Sequence, residues 1–267
     1  MNSDHSNLTD VTIRRIAVSA MGNNVYVLTS KATGDQVLID AADDTAAILA
    51  LLAEAEADTD APATASLIVT THSHWDHVRA LGEVKAATGA PSAAGQDDIA
   101  DIVVATDIPL RHGELTTVGD IDLEVIHLRG HTPGSVALLY RDPSGPAHLF
   151  TGDSLFPGGI GNTGDDAERF TSLYTDVVTR IFDVLPDDTL VYPGHGDGTT
   201  LGAERGSLAE WKQRGWQLHG IPPAQRNARS SSRAATARAR DHTYSPTWCD
   251  CARRSCAGST RRVSPPF

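Results

Sequence analysis

Cysteine is missing from the first 248 residues of this 267-residue chain; Cys249, Cys251 and Cys256 all lie near its end. Disulfides therefore do not hold the body together. No apolar run approaches the roughly 18–20 residues that span a bilayer. The opening MNSDHSNLTDVTIRR lacks the apolar stretch of a secretory leader, which predicts a cytoplasmic protein. Basic residues are outnumbered, 22 Lys and Arg against 34 Asp and Glu, and only Lys31, Lys85 and Lys212 are lysines. The resulting formal charge of −12 argues against nucleic acid or anionic lipid as the main partner.

What remains is sufficient for a core. Hydrophobic residues make up 40% and charged residues 21%, which excludes wholesale disorder. The charge is unevenly placed. Residues 221–267 hold nine Arg and two acids, a local charge of +7 that leaves −19 on the first 220 residues. The stretch IPPAQRNARSSSRAATARAR has no periodic face, so 221–267 reads as a disordered basic tail behind a folded body, 1–220. The tail spacing Cys249-x-Cys251-x4-Cys256 lacks the paired Cys-x2-Cys of common zinc modules.

The body reads as strands first, then helices and strands in alternation. Val11–Val18, Asn24–Thr29 and Gln36–Asp40 carry strand patterns separated by turn residues. Asp43 or Asp44 caps a predicted helix reaching about Ala57. Ser66–Thr71 is a short, mostly apolar strand of the kind buried on both faces. Helices are expected over Asp76–Thr88 and Gln96–Ala105, with a strand at Pro91–Ala94 between them. Asp122–Leu128, Ser135–Tyr140, Ala147–Thr151 and Thr189–Tyr192 are further strands. Asp165–Leu185 and Leu201–Trp216 are predicted helices. Two strand-rich halves, each followed by helices, imply an α/β fold with a two-sheet core covered by helices.

The chemistry concentrates in Thr71-His72-Ser73-His74-Trp75-Asp76-His77, directly after a buried strand. From extended backbone His72 and His74 point the same way. Asp76 and His77 then leave from a helix start on another side, which offers two adjacent ligand pockets. Imidazole nitrogen and carboxylate oxygen suit Zn²⁺, and also Fe or Mn. Three more ligand-type residues follow strands and stand beside glycine: His131 in Gly130-His131-Thr132-Pro133-Gly134, Asp153 in Thr151-Gly152-Asp153-Ser154, and His195 in Pro193-Gly194-His195-Gly196. Glycine there permits close backbone approach.

Other candidates are less specific. Trp75 either lines the mouth of a site or packs the helix start. Gly158–Gly164 brings Asn162 and Thr163 either to a substrate or merely around a loop. That stretch has no Gly-Lys-Ser/Thr phosphate signature. His127 reads as a structural strand histidine, and His5, His112, His148, His219 and His242 have no ligand context.

The pattern His-x-His-x-Asp-His with a later His, Asp and His resembles the metallo-β-lactamase superfamily. The flanks Gly-His-Thr-Pro-Gly-Ser, Thr-Gly-Asp-Ser-Leu-Phe and Pro-Gly-His-Gly are similar to its glyoxalase II-like branch, and the likeness spans about 11–217. It implies a four-layer αββα sandwich and two metal ions, expected to be Zn²⁺. By position His72, His74 and His131 would hold the first and Asp76, His77 and His195 the second. Asp153 would bridge them, and Asp76 and Asp153 would be catalytic. The implied reaction is hydrolysis of a small ester or thioester, such as an S-acylglutathione or the thioester of another carrier thiol. The glutathione-binding helical domain of glyoxalase II does not follow His195 in this sequence. Two other activities occur on the same fold. One is a lactonase or β-lactamase. The other is a persulfide dioxygenase with a single iron, whose Gly-Arg-Thr-Asp motif is replaced here by Gly161-Asn162-Thr163-Gly164.

Overall fold

Residues 3–215 are described by the structure, a computed structural model. The basic tail 221–267, its cysteines and the last residue of the helix expected at Leu201–Trp216 lie outside them.

Strand alternation builds two sheets whose opposite faces are both buried. The first sheet runs in sequence order: β1 (Asp4–Asn7), β2 (Val11–Val18), β3 (Asn23–Ser30), β4 (Asp35–Ile39), β5 (Thr64–Thr70), β6 (Ser92–Gly95) and β7 (Ile108–Leu110). The pairs from β4 through β7 are parallel. The second sheet contains β8 (Leu115–Val118), β9 (Ile121–His127), β10 (Val136–Tyr140) and β11 (His148–Gly152). A small hairpin, β12 (Leu155–Phe156) and β13 (Gly159–Ile160), precedes its last two strands, β14 (Leu190–Pro193) and β15 (Thr199–Thr200). The order in this sheet is β15-β14-β11-β10-β9-β8, with β11 and β14 parallel.

Period-two patterning explains the layers. Val11, Ile13, Tyr26, Leu28, Val37, Ile39, Leu67 and Val69 turn inward and meet Leu123, Val125, Val136, Leu138 and Phe150 of the second sheet. The intervening Ile16, Val18, Val25, Val27, Leu38 and Ile68 face outward against α1 (Thr45–Ala55) and α2 (Leu81–Thr88). On the far side Ile126, Ala137, Leu139, Leu149 and Val191 pack beneath α3 (Ala167–Val177), α4 (Leu201–Arg205) and α5 (Leu208–Arg214). The expected four-layer αββα sandwich is the observed one. Truncating one inward residue such as Leu28, fully buried, is expected to cost about 2–5 kcal/mol. Among the described residues no helix is long and apolar enough to cross a membrane.

Several predicted helices are shorter than expected, for physical reasons. Asp44 does cap α1, accepting from the Ala47 amide. The helix expected at Asp76–Thr88 begins only at Leu81; Trp75–His77 is a single 3-10 turn. The Asp76 carbonyl accepts from the Asn23 side chain at 3.0 Å and Val78 adopts φ −128°, which interrupts a helix there. Gln96–Asp101 is a 3-10 turn rather than a helix to Ala105, because Asp98 is drawn inward as an acceptor. The helix expected at Asp165–Leu185 ends as α3 and widens into a π-turn, Val178–Phe182, keeping Val177, Ile181 and Phe182 buried together. The last helix breaks at Gly206–Ser207 into α4 and α5. Strands β1, β7, β8, β12, β13 and β15 are short or polar and have no clear alternation to announce them.

Candidate metal centre

Strand ends from both sheets meet along one edge of the sandwich. The β5 end delivers His72 and His74, and the 3-10 turn after them delivers Asp76 and His77. The second sheet supplies His131 from the β9–β10 loop, Asp153 just after β11, and His195 just after β14. Pairing in β11 shifts between Phe150 and Gly152, a bulge that re-aims the chain immediately before Asp153. The two sheets touch at this seam, where the Val136 amide donates to the Thr71 carbonyl at 2.9 Å.

All seven predicted ligands come together. Three groups place their ligand atoms within 4.8 Å of one another: His72, His74 and His131; His72, His77 and Asp153; Asp76, His77 and His195. Each group contains residues from both sheets. Asp153 lies between the others, its oxygens 3.6 Å from His77 Nε2, 3.6 Å from His131 Nε2 and 3.5 Å from His195 Nε2. Six of the seven are buried; His74 is partly exposed.

The ring orientations explain why this set fits divalent ions. Four imidazoles have their Nδ1 engaged from behind: His72 by Thr71 Oγ1 at 3.1 Å, His77 by Asp40 at 2.9 Å, His131 by the Asn162 carbonyl at 2.7 Å, and His195 by the Met21 carbonyl at 3.1 Å. That fixes the ring and leaves Nε2 facing the centre. His72 Nε2 and His131 Nε2 stand 3.3 Å apart, and His77 Nε2 and His195 Nε2 3.2 Å apart. Tetrahedral ligands at the usual 2.0–2.1 Å from zinc are separated by about 3.3 Å. Such spacing is that of neighbouring ligands on one ion.

Charge points the same way. Burial, reinforced by the neighbouring imidazoles, holds His72 well below its ordinary pKa, and burial takes His131 down to about 4. Both are then in the neutral form that binds metal. For His77, burial opposes the charged form but Asp153 and Asp40 outweigh it and hold the ring up to about 9. Asp76 is shifted well below the usual carboxylate range: burial opposes this, but His195, His77 and Asn23 prevail. A field that favours a proton on a buried ring equally favours a metal cation there.

Glycine makes the crowding feasible. A Cβ on Gly194 would fall 2.4 Å from Asp153 Oδ1 and 2.8 Å from His77 Cε1. One on Gly161 would fall 1.8 Å from the Asp153 carbonyl oxygen.

Three supporting residues escaped the sequence reading. Asp40, buried after β4, accepts from the Thr71 amide at 2.7 Å and hydroxyl at 2.8 Å as well as holding His77. Its signal was available: an acid directly after a buried strand, as His72 is. Asn23 donates to Asp76 Oδ2 at 3.0 Å and forms an isolated bridge with His195; in sequence it was indistinguishable from a turn residue. Asp98 accepts from the Ser73 amide, the Thr132 hydroxyl and the Gly134 amide at 2.6–2.8 Å, tying two ligand loops together.

Trp75 is 59% exposed, with the Arg79 guanidinium 5.2 Å over its ring and Arg79 paired to Asp43. Asn162 turns its side-chain oxygen to the Gly164 amide and its backbone carbonyl to His131. Thr163 is buried and directs its hydroxyl to the Asp166 carbonyl.

Known proteins resemble this chain in sequence and in structure. An "Uncharacterized protein" of Aquifex aeolicus (strain VF5) is 32% identical over 209 residues, 72% of this chain and 93% of the relative. A hydroxyacylglutathione hydrolase of Fuscovulum blasticum is 34% identical over 175 residues, 65% of this chain and 62% of the relative. The crystal structure of ETHE1 from Myxococcus xanthus superposes with a TM-score of 0.65 at 26% identity, covering 80% of this chain and 93% of that one. The profile of the metallo-beta-lactamase superfamily matches residues 18–195, which take in every one of the seven ligand-type residues. On that match, the chain belongs to the metallo-beta-lactamase superfamily.

Proposed function

We propose that the protein is a metal-dependent hydrolase of a small ester or thioester, most simply with two zinc ions. The observation that carries this reading is the set of inward-facing Nε2 atoms, each ring secured from behind, arranged around Asp153. Structural zinc sites are usually closed and thiolate-rich, whereas this set is imidazole and carboxylate at a sheet edge. The donors also accept iron or manganese. Similarity to a hydroxyacylglutathione hydrolase supports the thioester class, and the −19 charge of the body supports a small molecule rather than nucleic acid.

His72, His74 and His131 would hold one ion, Asp76, His77 and His195 the other, with Asp153 between. When bound, divalent ions supply Lewis acidity and make water nucleophilic near neutral pH. The water oxygen bonds to the carbonyl carbon, and collapse of the tetrahedral adduct breaks the bond to the thiol or alcohol, which leaves with the proton. Asp76, ionised and steadied by Asn23, would orient the attacking water and pass its proton toward the leaving group. Trp75 would line the approach. Asn162 and Thr163 would contribute chiefly by shaping the loop that steadies His131, since their polar atoms are engaged within it.

Metal analysis with turnover on S-acyl thioesters, lactones and a β-lactam, with and without chelator, tests the proposal. About two zinc per chain and chelator-sensitive thioester cleavage are expected. A fully metallated protein that cleaves none of them would overturn it. So would one iron per chain with oxygen uptake on a persulfide.

A further inference from the structure

His131 sits on a loop that leans on a helix. Between β9 and β10, residues 129–131 lie against one face of α3, formed by Arg169, Leu173 and Asp176. These are four and three residues apart, the spacing of a single helical stripe. Arg169 Nε donates to the Gly130 carbonyl at 2.8 Å, and its Nη2 donates to the His131 carbonyl. Asp176, 2% exposed, accepts from the Arg129 amide at 3.0 Å and from the Arg129 guanidinium at 2.9 and 2.8 Å. Gly130 presses so closely that a Cβ would meet the Arg169 carbonyl oxygen at 2.3 Å and Leu173 Cβ at 2.7 Å. The same helix is entered from Asn162, whose carbonyl holds the His131 ring. Both the backbone and the imidazole of His131 are thus located from the segment 162–176.

The other ligand group is located differently. His77 is held by Asp40, Asp76 by Asn23, and His195 by the Met21 carbonyl, all first-sheet or first-sheet-turn residues. None of these contacts involves α3.

We infer that Arg169 is a positioning residue for one half of the metal centre. Through two successive carbonyls it fixes His131, and with it the group His72, His74 and His131, while the group Asp76, His77 and His195 is set independently. The role suits arginine. Its planar fork offers donors at fixed spacing to two neighbouring acceptors, whereas a lysine ammonium is a single point on a flexible stem.

This inference rests on the metal-centre reading above but not on any substrate. The test is competitive metal titration of the full chain with Zn²⁺, and with Co²⁺ followed by its absorption spectrum. The variants are Arg169→Met, Arg169→Lys and, as a distant control, Arg141→Met. Wild type and the control are expected to take up two ions. Arg169→Met should keep one tight ion and bind the second roughly 10–100-fold more weakly. Arg169→Lys should fall between, and the Co²⁺ spectrum should lose the features of one site. If Arg169→Met binds both ions as wild type does, the inference is overturned. It is equally overturned if both sites weaken together while circular dichroism shows an intact fold. Should the methionine variant not fold, Arg169→Lys carries the same two outcomes. A wild type that binds two ions yet hydrolyses no thioester defeats the proposed function and leaves this inference standing. A wild type lacking a second ion defeats the inference itself.

Discussion

The two halves of the ligand set reach the same edge by different routes. Four ligands, His72, His74, Asp76 and His77, arrive within six residues on one loop after β5. The other three, His131, Asp153 and His195, come singly from three loops of the second sheet. The contiguous half is braced mainly by carboxylates: Asp40 behind His77, and Asp98 behind the Ser73 amide. The dispersed half is braced by backbone carbonyls, from Asn162 and Met21, and by glycines that leave room. A carboxylate brace depends on one side chain. A carbonyl brace depends on the path of the chain, so it is broken by backbone crowding or by losing what fixes that path, as Arg169 does at Gly130 and His131.

The largest effect expected from that contrast is at glycine. Gly194→Ala places a Cβ 2.4 Å from Asp153 Oδ1 and 2.8 Å from His77 Cε1, and metal binding should weaken by about 100-fold. Gly206→Ala has nothing within 4 Å and an ordinary helical φ of −63°, so it should leave binding unchanged and add about 0.4–1 kcal/mol of stability. Equal metal affinity in the two variants, read by chelator competition, would remove the distinction.

Next come the carboxylates. Asp40→Asn should weaken binding of the ion at Asp76, His77 and His195, whose His77 it holds directly, by about 10–100-fold, and weaken the other ion less, since it reaches His72 only through Thr71. Asp98→Asn touches no ligand ring and should appear chiefly in stability, at about 1–3 kcal/mol for a buried acceptor left mismatched. Denaturant unfolding set beside metal counting separates them; a reversed pattern would mean that the bracing roles are exchanged.

The smallest effect is a pH dependence. Burial opposes the charged form of Asp176, but its hydrogen bonds from Arg129 prevail and lower its pKa. A depressed carboxylate contributes stability above its unfolded value, near 3.9, and loses it as pH falls through the folded value. Wild type should therefore lose stability below about pH 4 by a step that Asp176→Asn lacks. Parallel acid unfolding curves would contradict this.

The same contrast explains what the sequence could disclose. His72-x-His74-x-Asp76-His77 is visible because its ligands are adjacent and follow a strand that is apolar on both faces. Near-alternation in Val11–Val18 and the short apolar run Val136–Tyr140 expose the sheets for a similar reason: the signal lies in adjacent residues. Asn23, Asp40 and Arg169 act across 53, 37 and 38 or more residues of chain, and no local pattern encodes such partners. Helix lengths failed where a tertiary contact interrupted the backbone, as when Asn23 takes the Asp76 carbonyl.

Because each ligand group draws residues from both sheets, an ion in either one is a cross-link over the seam of the sandwich. Only the docked arrangement offers it, so occupancy and folding are thermodynamically linked. A site held at a hundredfold excess of free metal over its Kd contributes about 2.7 kcal/mol to stability. The residues of the proposed reactive centre would therefore also act as a rivet between the layers, and metal scarcity would be felt first as a loosening of the fold along that edge.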